Sequence, residues 1–205
     1  MYYKSQDGGT IIEGLEAVQR RPTMYIGATP GRSPSYRLLE VLADAIANDT
    51  PAPQEIRALL WSESAITVAW DGAPLPIEPL NDKGVWHPAL YHLFMYVAAG
   101  APPLGRFFFG AILNALSERL VVSTIHDNCR YRVVFARGTV VTLLKPTTCR
   151  QPLGTNWVTF RPDTAIIGGD AVTWADMQHM VASTERRASP RICVEDHSGE
   201  EAHWY

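Results

Sequence analysis

Between Ile11 and Val18 the apolar residues Ile11, Ile12, Leu15 and Val18 recur at helical spacing, and Pro22 closes the turn behind them. The pattern predicts a short amphipathic helix. A loop rich in breakers, Thr29-Pro30-Gly31-Arg32-Ser33-Pro34, precedes a second helix from about Tyr36 to Ala47, with Ser35 placed to cap it and Leu38, Leu39, Leu42, Ala45 and Ile46 on its apolar face. Past Pro51 and Pro53 the period changes. Glu55 to Trp61 and Ala65 to Trp70 read as two strands, after which Asp71-Gly72 turns the chain.

Helical patterns return over Pro88 to Ala99, ending at Gly100, and from about Gly110 to Leu120. Three strand-like runs follow, Leu120 to Ile125, Tyr131 to Ala136 and Val140 to Leu144, with Asp127-Asn128 and Arg137-Gly138 at the turns. They predict an antiparallel meander. Asn156 to Arg161 adds a strand, Trp174 to Arg186 a helix, and Arg191 to Glu195 a last strand. No internal repeat or long linker divides the chain, so residues 1–10 read as a polar arm and residues 11–205 as one domain. Helices grouped between antiparallel strands argue for a two-layer α+β sandwich, whose mixed, mostly antiparallel sheet is covered on one face.

Composition narrows the functional classes. With 46% hydrophobic and 19% charged residues over 205 positions, the chain can bury a core and is not a disordered tail. A net charge of -3, with no local run of Lys or Arg, gives no attraction to a phosphate backbone, so direct nucleic-acid binding is not expected. Cys129, Cys149 and Cys193 are scattered, without C-x-x-C spacing, which fits a reducing compartment and no zinc site. The polar N-terminus lacks the apolar core of a signal peptide and no apolar run reaches bilayer length. The expectation is a soluble, cytoplasmic protein.

The stretch Glu13-Gly14-Leu15-Glu16-Ala17-Val18, then Arg21-Pro22 and Met24-Tyr25-Ile26-Gly27, resembles the N-terminal signature of the ATPase domain of gyrase B and its topoisomerase IV counterpart. Later landmarks keep the same order: Glu40 on a helix, Asp71-Gly72 ending in Leu75-Pro76, Asn114-Ala115-Leu116-Ser117, Gly154-Thr155 before a strand, and a closing His203-Trp204-Tyr205. The resemblance implies the GHKL (Bergerat) α/β sandwich. It also implies that transducer, Toprim and DNA-cleavage domains are missing, so that complete topoisomerase activity is not expected.

In that family a glutamate on the second helix is the general base, and an asparagine four residues on holds magnesium; the spacing puts both on one helical face. Here the pair is Glu40 and Asp44, with the base kept and the metal ligand changed. The resemblance places Trp70 where the family has the aspartate that accepts the adenine amino group, and an indole is a donor only. Asp71 and Gly72 offer a substitute one residue on, or simply a good turn dipeptide. Thr155 matches a threonine supporting the adenine contact. Arg132 matches an arginine at the pocket rim, or is an exposed strand residue. The family's glycine-rich lid corresponds to Gly100-Ala101-Pro102-Pro103-Leu104-Gly105-Arg106-Phe107-Phe108-Phe109-Gly110, where prolines lack N–H donors and Phe107, Phe108 and Phe109 bring bulk.

These departures predict a stand-alone pseudo-ATPase with no cofactor, acting through a protein partner from the gyrase or topoisomerase IV enzymes, or as a homodimer through the arm. In that reading Glu40 is a vestigial base, and Trp70 with the Phe triplet plugs the pocket or forms an interface. The alternative is a domain that still binds ATP and Mg²⁺ through Asp44, Asp71, Gly72, Arg132 and Thr155 and needs a partner in trans for hydrolysis.

Overall fold

Strand alternation decides the layering. In β3 (Glu55–Trp61) the residues Ile56, Ala58 and Leu60 belong to the main core, whereas Leu59 and Trp61 join a separate cluster on the other side. In β4 (Ile66–Trp70) the core takes Ile66, Val68 and Trp70. The same alternation continues through β7 (Ser117–His126), β8 (Cys129–Ala136) and β10 (Asn156–Pro162). One face of the sheet is therefore roofed by helices, and the other, called here the back face, is not.

The computed structural model describes residues 2–4, 10–12, 14–82, 85–97, 109–148, 152–184 and 190–204. With β9 (Thr139–Thr147) and β11 (Arg191–His197), the strands form a seven-stranded sheet in the order β11-β3-β4-β10-β7-β8-β9. Every pair is antiparallel except β11 with β3, which makes the sheet mixed and mostly antiparallel. The meander β7-β8-β9 and the last strand fall where the sequence pattern puts them. Predicted positions 98–108, which hold the lid with Phe107 and Phe108, lie outside the described residues, as do residues 185–186 of the last helix.

Several boundaries differ from the pattern, for local reasons. Thr10–Ile12 is a strand, β2, paired with β1 (Tyr2–Lys4), and the first helix, α1, runs only over Leu15–Arg20. Gly14 at φ +86 separates them, a conformation that other residues rarely adopt. Pro22 begins a helix, α2 (Pro22–Ile26), because proline suits a first helical turn. In α3 (Pro34–Ala47) the cap is Ser33, whose Oγ accepts from Tyr36 N at 3.2 Å, while Ser35 is buried. The Pro-rich stretch after Leu75 conceals a hairpin of β5 (Pro79–Asp82) and β6 (Val85–Pro88), followed by α4 (Ala89–Met95).

The helix predicted to reach Leu120 stops earlier. α5 (Phe109–Ala115) is buried along its whole length, and Ser117 and Arg119 already pair with Pro162 and Arg161 of β10. Sheet pairing outweighs the helical spacing there. A short α6 (Thr164–Ile167), capped by Asp163, and α7 (Trp174–Thr184) complete the helices among the described residues. The core centres on Leu38, Leu39, Leu42 and Ile46 of α3 against Ile56, Val68, Val122 and Val158 of the sheet, all with zero exposure. No helix among the described residues is long and apolar enough to cross a membrane.

Candidate functional site

The two carboxylates on α3 are half-buried and one helical turn apart. Arg37 Nη1 donates to Glu40 Oε2 at 2.6 Å, Thr29 Oγ1 donates to the same oxygen at 3.1 Å, and Arg37 Nε donates to the Ile26 carbonyl at 2.6 Å. Glu40 is thus fixed by the loop before α3, through an arginine anchored on the end of α2. A general base needs a free lone pair toward water, and one oxygen of Glu40 is already committed to a cation. Asp44 presents a hard oxygen donor suited to Mg²⁺ that takes its remaining ligands from water and phosphate. Among the described residues no group of three or more His, Cys, Asp or Glu converges as a metal cluster.

At one end of the sheet, Trp70 of β4, Asn156 of β10, Thr124 of β7 and Tyr131 of β8 form a row across four strands. Trp70 is 3% exposed and lies in the core on the helix-covered side. The loop before β10 closes on it: a Cβ on Gly154 would sit 2.8 Å from the Trp70 carbonyl oxygen. Glycine there is required by close backbone approach. Thr155 follows, half-buried, and its carbonyl accepts from Ile125 N at 2.9 Å.

Asp71 turns away from this row. Its Oδ1 accepts from Gln54 N and Glu55 N, both at 3.1 Å, so the carboxylate caps the start of β3. Gly72, at φ +126, provides the turn that lets Asp71 reach back. Phe109, the described member of the Phe triplet, is 3% exposed at the start of α5 and packs in the core.

The polar centre of this end of the sheet is a set of residues that the sequence pattern does not single out. Asn156 Oδ1 accepts from Leu75 N at 2.9 Å and from Thr124 Oγ1 at 2.8 Å, and its Nδ2 donates to the Ala73 carbonyl at 2.9 Å. His126 Nε2 donates to the Leu75 carbonyl at 2.7 Å. Asn156 and Thr124 have zero exposure, so these bonds clamp the loop 73–75 over the sheet end. Only strand register reveals them; an Asn at the mouth of a predicted strand carries no such signal alone.

Arg132 does not join this group. Alternation along β8 puts it on the back face, opposite Ser123, where its Nη2 donates to the Trp204 carbonyl. Burial, and then the nearby Arg119, hold its guanidinium below the usual arginine value. Of the candidate site residues, Trp70, Gly72 and Thr155 gather at one end of the sheet with Asp71 turned outward, Glu40 and Asp44 sit together on α3, and Arg132 lies across the sheet from them.

Comparison with known proteins gives a consistent picture. No family model matches the chain. The gyrase B protein of Thermus thermophilus is 30% identical over 174 residues, covering 77% of this chain and 26% of that protein. Its topoisomerase 4 counterpart from Caulobacter vibrioides is 30% identical over 168 residues, again 77% of this chain, and 24% of its own length. The chain thus spans about a quarter of the length of these curated relatives. Among solved structures, the 43K ATPase domain of Thermus thermophilus gyrase B matches with TM-score 0.73 at 25% identity, over 91% of this chain and 50% of that one. The topoisomerase IV ATP-binding domain of Francisella tularensis matches with TM-score 0.71 at 19% identity over 91% of this chain and 92% of that one, a likeness of fold.

Proposed function

We propose that this chain, a relative in sequence and fold of the GHKL ATPase domains of gyrase B and topoisomerase IV, is a non-hydrolysing domain of that type that acts by binding another protein. The observation that carries the reading is Trp70. It stands at the position that the resemblance assigns to the adenine-binding aspartate, and it is buried in the core. An indole cannot accept the hydrogen bond that adenine offers. The nearest carboxylate, Asp71, is engaged by two backbone amides of β3. Two further points agree: Glu40 is bound by Arg37 and Thr29, and the lid sequence lacks the run of glycine N–H donors that a polyphosphate needs. The partner that fits best is a component of gyrase or topoisomerase IV, met by a domain of matching shape.

A second reading, residual ATP and Mg²⁺ binding that needs a partner in trans for hydrolysis, draws on Glu40 and Asp44 keeping one helical face. Calorimetry of the chain with Mg-ATP and a non-hydrolysable analogue separates the two. The expected result is no saturable heat for either ligand, and none for Asp71→Ala. Saturable binding that Asp71→Ala or Asp44→Ala removes overturns the proposal and establishes the second reading.

A further inference from the structure

After β11 the chain turns at His197–Glu200 and runs as an irregular strap, residues 201–204, across the back face. It is held at separate points. Ser62 N donates to the Glu200 carbonyl at 3.0 Å, the His203 ring meets the Trp61 ring edge-on at 5.0 Å, and Ala202 and Trp204 pack on the small cluster of Leu59, Trp61 and Ala65. Two guanidinium groups lie over the Trp204 indole, with Arg119 Cζ at 4.8 Å and Arg161 Cζ at 5.6 Å from its centroid. Arg132 takes the Trp204 carbonyl.

The surface beneath is unusual for a chain of net charge -3. Arg119 and Arg161 face each other directly across β7 and β10, a like-charge pair that destabilises a sheet unless something intervenes. The indole intervenes, its negative face shared by two cations. Glu63, and more distantly Glu118 at 3.9 Å, answer Arg161 from the rim. Yet the Nε–H groups of both Arg132 and Arg161 are buried with no hydrogen-bond acceptor among the described residues. A buried donor without a partner carries a cost that a better-matched ligand would remove. Arg57, ion-paired with Glu195, and Arg130, stacked over Trp157 at 5.0 Å, extend the cationic and aromatic character of the face.

From this geometry we infer that the back face is a peptide-binding seat, which takes an acidic segment with an aromatic residue from another protein, and that the strap is its resident, displaceable occupant. The strap displays the recognised chemistry: Glu200-Glu201-Ala202-His203-Trp204 combines two carboxylates with an indole. A foreign segment of the same kind places its aromatic ring against Arg119 and Arg161 and supplies carboxylate oxygens to the two Nε–H donors. Arginine and tryptophan together are the residues that dominate binding hot spots. The inference deepens the protein-binding reading and rests on it for its biological use, but the seat itself is independent of whether any nucleotide binds.

The test uses a labelled, end-capped peptide of residues 198–204 as probe, read by fluorescence anisotropy against the full chain. Trp204→Ala, which releases the resident strap, is expected to bind the peptide about tenfold more tightly than the unaltered chain. Arg119→Glu in that background is expected to abolish the gain, as is a peptide with Ala in place of Trp. A folded Trp204→Ala chain that binds no better, or a gain that survives Arg119→Glu, overturns the seat. If Trp204→Ala does not fold, hydrogen exchange on the unaltered chain decides: strap amides must open far sooner than those of β10, and equal protection overturns the inference. Concentration-dependent dimerisation lost on Trp204→Ala puts a second copy's strap in the seat and overturns the assignment to a foreign segment. Calorimetric ATP binding, by contrast, overturns only the pseudo-ATPase reading.

Discussion

The Trp70 end of the helix-covered face and the arginine row of the back face handle polar groups in opposite ways. On the helix-covered face, at the end marked by Trp70, the buried polar side chains satisfy one another: Asn156 makes three bonds, Thr124 and His126 hold Leu75, and Asp71 caps two amides of β3. On the back face, arginines confront each other and two Nε–H groups lack acceptors among the described residues. A closed network specifies one structure and leaves little for a ligand to gain, whereas an unsatisfied one retains binding free energy. Homology directs attention to the first face; the unpaired donors direct it to the second.

The contrast breaks most visibly at Trp70. If the ring is core, Trp70→Ala costs roughly 3 to 5 kcal/mol in urea unfolding, as for other buried large-to-small changes. A loss below about 1 kcal/mol would mean a ring free to leave, and a pocket able to open. Asn156→Ala comes next. It strands the Ala73 carbonyl and the Thr124 hydroxyl donor and leaves the Leu75 amide to Thr124 alone, and about 2 kcal/mol is expected from the same measurement. A near-neutral result would show water entering in its place, making this face as open as the other.

What the sequence discloses divides along the same line. The spacing of Leu38, Leu39, Leu42 and Ile46 names α3 and its buried side, and with it Glu40 and Asp44, because both properties are local. The meander after Ser117 is equally legible, since the turns at Asp127-Asn128 and Arg137-Gly138 flank apolar alternation, and all four residues adopt positive φ. Register is not local. That Arg119 meets Arg161, and that Asn156 meets both Trp70 and Thr124, follow only from pairing strands far apart in the chain. Glu40 illustrates the limit differently: its partner Arg37 sits at i−3 and is readable, whereas Thr29 reaches it from a loop. The end of α5 is misplaced by pattern for a related reason, as β10 captures Ser117 and Arg119.

The smallest effect is also the one that tests how the strap is fastened. His197, at the root of the strap, pairs through Nε2 with Glu195 at 3.2 Å and through Nδ1 with Glu200 at 3.3 Å, beside the Trp61 ring at 4.7 Å. The hydrogen bond to Glu195 raises its pKa above the ordinary 6.5, opposed by partial burial and assisted by Glu200. Glu195 is held below its ordinary 4.5, chiefly by Arg57, with His197 contributing. A raised histidine contributes stability that is complete below pH 6.5 and fades as pH climbs through the folded value; a depressed carboxylate contributes above 4.5 and fades as pH falls through its own. The clasp is therefore tightest between these limits and loosens on the alkaline side first as His197 gives up its proton. Exposed pairs of this kind amount to less than about 1 kcal/mol, so global unfolding will barely register the change. Strap exchange will: amide protection over residues 198–204 should fall as pH rises past 6.5 while β10 holds, and His197→Gln should flatten that dependence. Protection that is flat with pH in the unaltered chain would mean that the aromatic and arginine contacts at Trp204 alone fasten the strap.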